Sequence, residues 1–502
     1  MKNIYFLIII SIGLLACNAT KKVTTSKALT TDADQKIAAS TISMNKIKAH
    51  IHYLASDEMK GRDTPSPELD IAARYLSTSL MRYGVKPAKG DDYFQKVPMK
   101  TVTPASSGNL KFGTYDFALL QDFLSIGDGD VSVDGKAVFI NRGTEEDFKN
   151  NDVKDKIVVT LCGFEGQERP QEWFYAGRQK RKWAKENGAK AVLEIYSSTQ
   201  IPFNFLVRFF SGTATILDDE EDDSFPYLWL NASDKEAIAT LKDTKDIACD
   251  IKVEGSLVEK INTYNVVGML EGSDPVLKDE YVIYSAHYDH IGVGRPMEGD
   301  SIYNGARDNA VGSVTVLSAA ENIAQNPTKR SALFIFFTGE EKGLLGSSYY
   351  ADNPVVPLDE VVYCFNSDNA GYNDTSVATI FGLERTTARN LIEKACTAFG
   401  LKAIEDRMPE EGLFDRSDNV NFAKKGVPAP TFSVGITAFD DEVNRYYHQA
   451  ADGPETLDYD YLVKFFKSYV YACRLIGNTS QDLFWIEGDK YYEAGKELYK
   501  MK

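Results

Sequence analysis

The chain has 502 residues, 43% of them hydrophobic, enough to bury a large core and to fill about two domains. Acidic residues outnumber basic ones 73 to 56, a formal net charge of −17, which argues against nucleic acid as a partner because phosphates need a basic face. Histidine is scarce: His50, His52, His287, His290 and His448 are the whole set, and two of the five share one tetrapeptide.

The N-terminus reads as an export signal. Met1-Lys2-Asn3 is a short positive start, Ile4 to Leu15 an apolar core too short to span a bilayer comfortably, and Leu14-Leu15-Ala16-Cys17 a small-residue processing site. This resembles a bacterial lipoprotein signal, which implies that residues 1–16 are removed. Cys17 would then carry a lipid that anchors the chain in the cell envelope, at the periplasm or outer membrane. An ordinary secretory signal cleaved nearby is the alternative. Residues 17–42, rich in Thr, Ser, Lys and Ala, read as a flexible tether. None of the later cysteines, Cys162, Cys249, Cys364, Cys396 and Cys473, are spaced Cys-x-x-Cys, so a zinc ribbon or redox pair is unsupported.

The folded chain is expected from near Met44. Ile47, Ile51, Leu54 and Met59 recur at helical spacing, and Gly61 to Pro65 breaks the pattern. Ser66-Pro67-Glu68 opens a helix through Tyr83 that Gly84 closes. His50 and His52, two apart on the first helix, read as one packed and one surface histidine. Tyr93 to Met99 alternates like an edge strand. Short strands are then suggested at Lys136–Ile140, Lys156–Leu161, Ala189–Ile195 and Phe225–Leu230, around a basic helix, Gln171–Asn187. The strings 155–160 and 183–192 resemble a protease-associated domain, placing such an insert at 116–255 between two parts of one α/β domain, 43–115 and 256–502. The acidic run Asp218–Asp223 reads as a solvated loop, with cation binding or substrate contact as the other reading.

From Tyr281 the apolar run YVIYSA is long enough for one buried parallel strand and ends in His287-Tyr288-Asp289-His290. Asp308 follows twenty-one residues later and opens the small-residue helix Val311–Ala320. Ser331–Thr338 is a second buried strand, running into Gly339-Glu340-Glu341. Val361–Phe365 is a third, ending in Asn366-Ser367-Asp368. His448 lies in a loop before the closing helix Tyr459–Leu475. Ligands of open α/β sheets bind beyond the carboxyl ends of the strands, so these acids and imidazoles project towards one edge. Histidines and carboxylates without cysteine suit catalytic zinc, or two zincs sharing a carboxylate.

The motifs His287 to His290, Gly305 to Gly312, Thr338 to Ser347, Asn366 to Asp368 and Tyr447 to Asp452 resemble those of the exported dizinc peptidases. That family includes bacterial leucyl aminopeptidases, aminopeptidase Y and glutamate carboxypeptidase. The resemblance covers roughly Met44 to Leu475. It implies a doubly wound, mostly parallel α/β sheet carrying two Zn2+ ions and acting on peptides. One zinc would be held by His287, Asp308 and Asp368, the other by Asp308, Glu341 and His448. Asp289 would fix the His287 tautomer, Glu340 would be the general base, and Tyr447 could donate to the oxyanion. His290 falls at the rim or behind the ligands. Asp418 lies in a loop that lines the substrate pocket in relatives. Arg307 and Val311 depart from the family pattern, and Arg307 either pairs with a local acid or receives a substrate carboxylate. The activity implied is an aminopeptidase; a carboxypeptidase or dipeptidase, a glutamine-cyclising relative and a catalytically silent peptide-binding relative are the alternatives.

Overall fold

The three apolar runs become the centre of one sheet. In the computed structural model, which describes residues 31–501 except 168–169, 199, 219–224 and 244, Tyr281–His287 pairs in parallel with Ser331–Phe337 on one side and Val361–Ser367 on the other. Thr431–Val434 extends the parallel set. Successive side chains on these strands point to opposite faces, and both faces are covered. Tyr284, Ala286, Phe334 and Phe365 pack with Leu317 and Tyr469, from helices Gly312–Gln325 and Tyr459–Asn478. Ile283, Ile335 and Phe337 pack with Tyr350, Phe422 and Trp485 on the other side. Burial on both faces is why the runs read as continuously apolar. Each fully buried large side chain contributes about 1.5–3 kcal/mol, so both helical layers are needed to keep the strands dry.

The ten-stranded sheet is mixed, with five antiparallel pairings and four parallel ones, which corrects the expectation of a mostly parallel sheet. The cause is the excursion between its halves. The chain leaves along Phe94–Thr103 and returns along Leu257–Leu270 beside it, and a departure and return at one place are necessarily antiparallel. Ala214–Leu217 flanks only the later part of Phe94–Thr103, pairing with Met99–Val102, so of the Tyr93–Met99 segment read as an edge only Met99 gains a second partner strand.

The excursion forms a second, eight-stranded sheet with its own apolar core around Leu110, Ile157, Leu193 and Leu228. It begins with Ser107–Phe112, paired with Ile247–Glu254, so it starts earlier in the chain than residue 116. The helix Pro170–Glu186 packs on it, and Lys180 makes a buried ion pair with Glu194 at 2.5 Å.

Pro67–Tyr83 is a helix with Ser66 Oγ accepting from Leu69 N at 3.0 Å and Gly84 closing it at φ +83°. His50 is buried between the hydroxyls of Tyr75 and Tyr83, and His52 is exposed. All five later cysteines are buried and free. The second half of the expected tether is corrected: Thr31–Ser40 is a helix docked on Tyr459–Asn478, where buried Asp34 pairs with Arg474 at 2.8 Å. The export signal, Cys17 and residues 219–223 of the acidic run lie outside the described residues. Among the described residues, no helix is long and apolar enough to cross a membrane.

Candidate metal centre at the carboxyl edge of the sheet

Four chain segments converge beyond the carboxyl ends of the parallel strands. His287 ends its strand, Glu340 and Glu341 follow Ser331–Phe337, Asp368 follows Val361–Ser367, and His448 comes from the loop before the last long helix. Asp308 sits between them. Its Oδ1 lies 3.3 Å from His287 Nε2 and its Oδ2 lies 3.2 Å from His448 Nε2. His287 Nε2 also meets Asp368 Oδ1 at 3.2 Å, and His448 Nε2 meets Glu341 Oε2 at 3.2 Å. One carboxylate thus divides its two oxygens between two imidazoles, each already beside a further carboxylate.

No Lys or Arg pairs with Asp308, Glu340, Glu341 or Asp368 among the described residues. Four clustered carboxylates against a few imidazoles leave an excess of buried negative charge, which is costly unless cations offset it. The donors are nitrogen and oxygen with no thiolate, a set that fits zinc in a catalytic site. The two tightest triads differ in membership from the expected ligand sets: ligand atoms of His287, Glu340 and Asp368 lie within 4.8 Å of one another, as do those of His290, Asp308 and Glu341, so Glu340 stands in the place of Asp308 and His290 in that of His448.

The charges sort the two adjacent glutamates. Burial, reinforced by Asp368, Glu341 and Asp418 against the opposing His287, pushes Glu340 well above the usual carboxylate range. Against burial and Asp308, hydrogen bonds from His290 and His448 bring Glu341 down to about 2. Against burial, His287 and His448 hold Asp308 far below the carboxylate range, and Asp308 with Glu341 lifts His448 to about 10. Neighbouring carboxyls pushed apart in this way suit different roles: the surroundings of Glu341 favour its ionised form, and those of Glu340 its protonated form.

Support comes from residues far away in sequence. The Asp289 carboxylate accepts from Glu340 N at 3.1 Å, Glu341 N at 3.3 Å and Thr64 Oγ1 at 3.1 Å. It is 3.8 Å from His287 Nδ1, which instead faces the Asp289 carbonyl at 3.2 Å. The tautomer contact expected of the Asp289 side chain is therefore made by its main chain, because the carboxylate is turned to the backbone of the two glutamates.

Asp452 accepts from Arg307 N at 2.9 Å, Asp308 N at 3.3 Å and Arg307 Nη1 at 3.0 Å, fixing the main chain that carries Asp308. Arg307 is buried, bonded also to Thr456 and lying 3.7 Å over the Tyr446 ring, so it pairs with a local acid and does not face the pocket. Asn309 Oδ1 accepts from Gly312 N at 3.0 Å, and a Cβ on Gly312 would lie 2.2 Å from that oxygen. Arg62, fully buried, donates to the carbonyls of Tyr288, Asn304, Gly305 and Leu54. Neither Arg62 nor Thr64 stands out in the sequence, which marks only a break there. A Gly-Arg-Asp-Thr-Pro run just before a capped helix is the one available signal.

The centre opens into a cavity of about 330 Å³ walled by Ala370, Phe381, Leu413, Ile436 and Phe439. Tyr447 lies on its wall, stacked on His448 at 4.2 Å, and its hydroxyl accepts from Arg416 at 3.4 Å. Asp418 is fully buried, and burial, opposed by His287 and Ser347, pushes it up to about 7.

A probable leucine aminopeptidase of Trichophyton verrucosum is 29% identical over 240 residues, 45% of this chain and 61% of that protein. A probable leucine aminopeptidase 2 of Aspergillus oryzae is 25% identical over 317 residues, 58% of this chain and 60% of that protein. The chain thus spans about three-fifths of the length of these curated relatives. The solved structure of an aminopeptidase from Aneurinibacillus sp. strain AM-1 shares the fold at a TM-score of 0.54, with 20% identity, covering 89% of this chain and 97% of that one. Residues 265–472, which carry every one of the convergent acids and imidazoles, match the model of peptidase family M28.

Proposed function

We propose that the chain is a zinc-dependent aminopeptidase, removing N-terminal residues from peptides at a two-metal site. The observation that carries this reading is the divided Asp308 carboxylate, with one oxygen toward His287 and the other toward His448. His287, Asp308 and Asp368 would hold one zinc, and Asp308, Glu341 and His448 the other. When bound, the metals supply Lewis-acid polarisation of the scissile carbonyl and acidify water. Glu340, starting as the carboxylate, takes the proton of the attacking water and returns it to the leaving amine; surroundings that raise its proton affinity make it the stronger base of the two adjacent glutamates. The Tyr447 hydroxyl, held protonated by burial, donates to the oxygen that gains charge. The apolar cavity receives the side chain of the N-terminal residue.

The finer expectations belong to the same reading. The second sheet is a protease-associated domain bordering access to the site, and Cys17 lipidation tethers a bacterial enzyme to the cell envelope. One observation favours removal of C-terminal residues instead: Arg416 stands on the cavity wall, exposed and without an ion pair among the described residues. The test is a mixed-sequence peptide and its N-acetylated twin, with products read by mass. Chelator-sensitive loss of N-terminal residues from the free peptide alone is expected. Trimming of both peptides from the C-terminus would establish a carboxypeptidase, and no cleavage of either with added zinc would overturn the enzyme reading.

A further inference from the structure

His290 is the one imidazole at the centre to which the ligand sets above assign no part, yet it is more deeply buried than His448. Its Nδ1 lies 2.7 Å from Glu341 Oε1, while Oε2 of the same carboxylate faces His448. Its Nε2 has no hydrogen-bond partner. An ionised carboxylate only accepts, so the ring donates from Nδ1 to Glu341, and its other nitrogen is left without a partner. The ring is held from three sides. Its backbone N donates to Arg62 O at 3.2 Å, its face packs on Gly305 where a Cβ would come within 2.5 Å of Cγ, and its edge meets the His448 ring at 5.6 Å. Gly305 has φ +60°, so the close approach and the backbone conformation both call for glycine.

We infer that His290 is a positioning residue for the second metal: by donating from Nδ1 to Glu341 Oε1 it locks the carboxylate rotamer that presents Oε2 beside His448 and Asp308. Without this bond the Glu341 side chain is free to turn in a site crowded with like charge, and the second donor set loses its geometry. Of the first set, the shared Asp308 lies within 4.8 Å of His290, but among the described residues neither His287 nor Asp368 hydrogen-bonds or pairs with the His290 ring. Partners that orient a ligand in this way typically contribute 10–100-fold to metal affinity. The inference rests on the two-metal reading.

The test is a zinc titration of metal-stripped protein, comparing wild type with His290→Asn and His290→Gln, together with the melting temperature of each metal-free protein. Asparagine places an amide N–H near the position of Nδ1, and glutamine places it near Nε2. Wild type is expected to take two equivalents, His290→Asn to hold the second within about threefold, under 1 kcal/mol, and His290→Gln to hold it roughly 10–100-fold more weakly with the first equivalent unchanged. Fewer than two equivalents on wild type would overturn the two-metal reading, and this inference with it. Two equivalents bound equally by all three proteins would overturn the inference alone and leave the ring a packing role, visible only as lower melting temperatures. Equal loss in both variants would also overturn it, in favour of direct ligation by His290.

Discussion

Asp289→Asn separates what a buried carboxylate does for geometry from what it does for stability. In the wild type, burial pushes Asp289 up to about 6, opposed by His287 and by its hydrogen bonds. A rise of about two units means that the ionised form carries a net penalty of ~3 kcal/mol at neutral pH. Asparagine removes that charge. It also replaces one of the acceptors facing Glu340 N and Glu341 N with an NH2 group, leaving a backbone N–H opposite another donor, at a cost of ~1.5–3 kcal/mol. The two effects nearly cancel, so metal-free Asp289→Asn is expected to unfold within about 1 kcal/mol of wild type at pH 7.5. The displaced backbone of Glu340 and Glu341 is expected to weaken zinc binding about 10–100-fold. Denaturant unfolding in chelator gives the first quantity and zinc titration the second. A large fall in stability with zinc affinity intact would refute the assignment of the carboxylate to positioning.

Glu340→Gln keeps the shape of a side chain that the proposed ligand sets leave out; turnover is expected to fall about 10²–10⁴-fold while zinc content is unchanged, checked by peptide hydrolysis beside metal analysis. His50 offers a pH effect independent of metal. Burial holds it near 4 against an ordinary value of 6.5, so the unfolded chain binds the proton first and stability is lost as pH falls from about 6.5 to 4. The loss is ~3 kcal/mol, and His50→Gln should flatten that part of the stability curve in chemical denaturation at a series of pH values. Gly312→Ala forces a methyl to within 2.4 Å of the Ser367 carbonyl as well as against Asn309, and an unfolding free energy lowered by about 1–3 kcal/mol is expected in denaturant titration.

Much of the centre is legible in the sequence because each of its pieces is local. A buried strand announces itself by a continuous apolar run, and the chemistry begins at the residue where the run stops, as at His287, Glu340 and Asp368. The helix Pro67–Tyr83 is bounded by Ser66 and Gly84 for equally local reasons. What escapes is whatever depends on distant partners. Asp289 reaches Thr64 across 225 residues, Arg307 reaches Asp452 across 145 and Arg474 reaches Asp34 across 440. No periodicity records such pairs. Thr31–Ser40 looks like a polar tether until Arg474 gives Asp34 a buried partner. Nothing in the residues of Phe94–Thr103 shows that the excursion returns Ala214–Leu217 beside its later part, Met99–Val102. The direction of the Asp289 carboxylate is illegible for a different reason: spacing places a residue beside His287 but does not say whether its side chain or its carbonyl makes the contact.

In the proposed site Asp308 bridges two cations, and anomalous diffraction from zinc-loaded crystals locates them. Two peaks about 3.5–4 Å apart are expected with the Asp308 carboxylate between them, one beside His287 and Asp368 and the other beside Glu341 and His448. A single peak, or two peaks that do not share Asp308, would rule out the bridge.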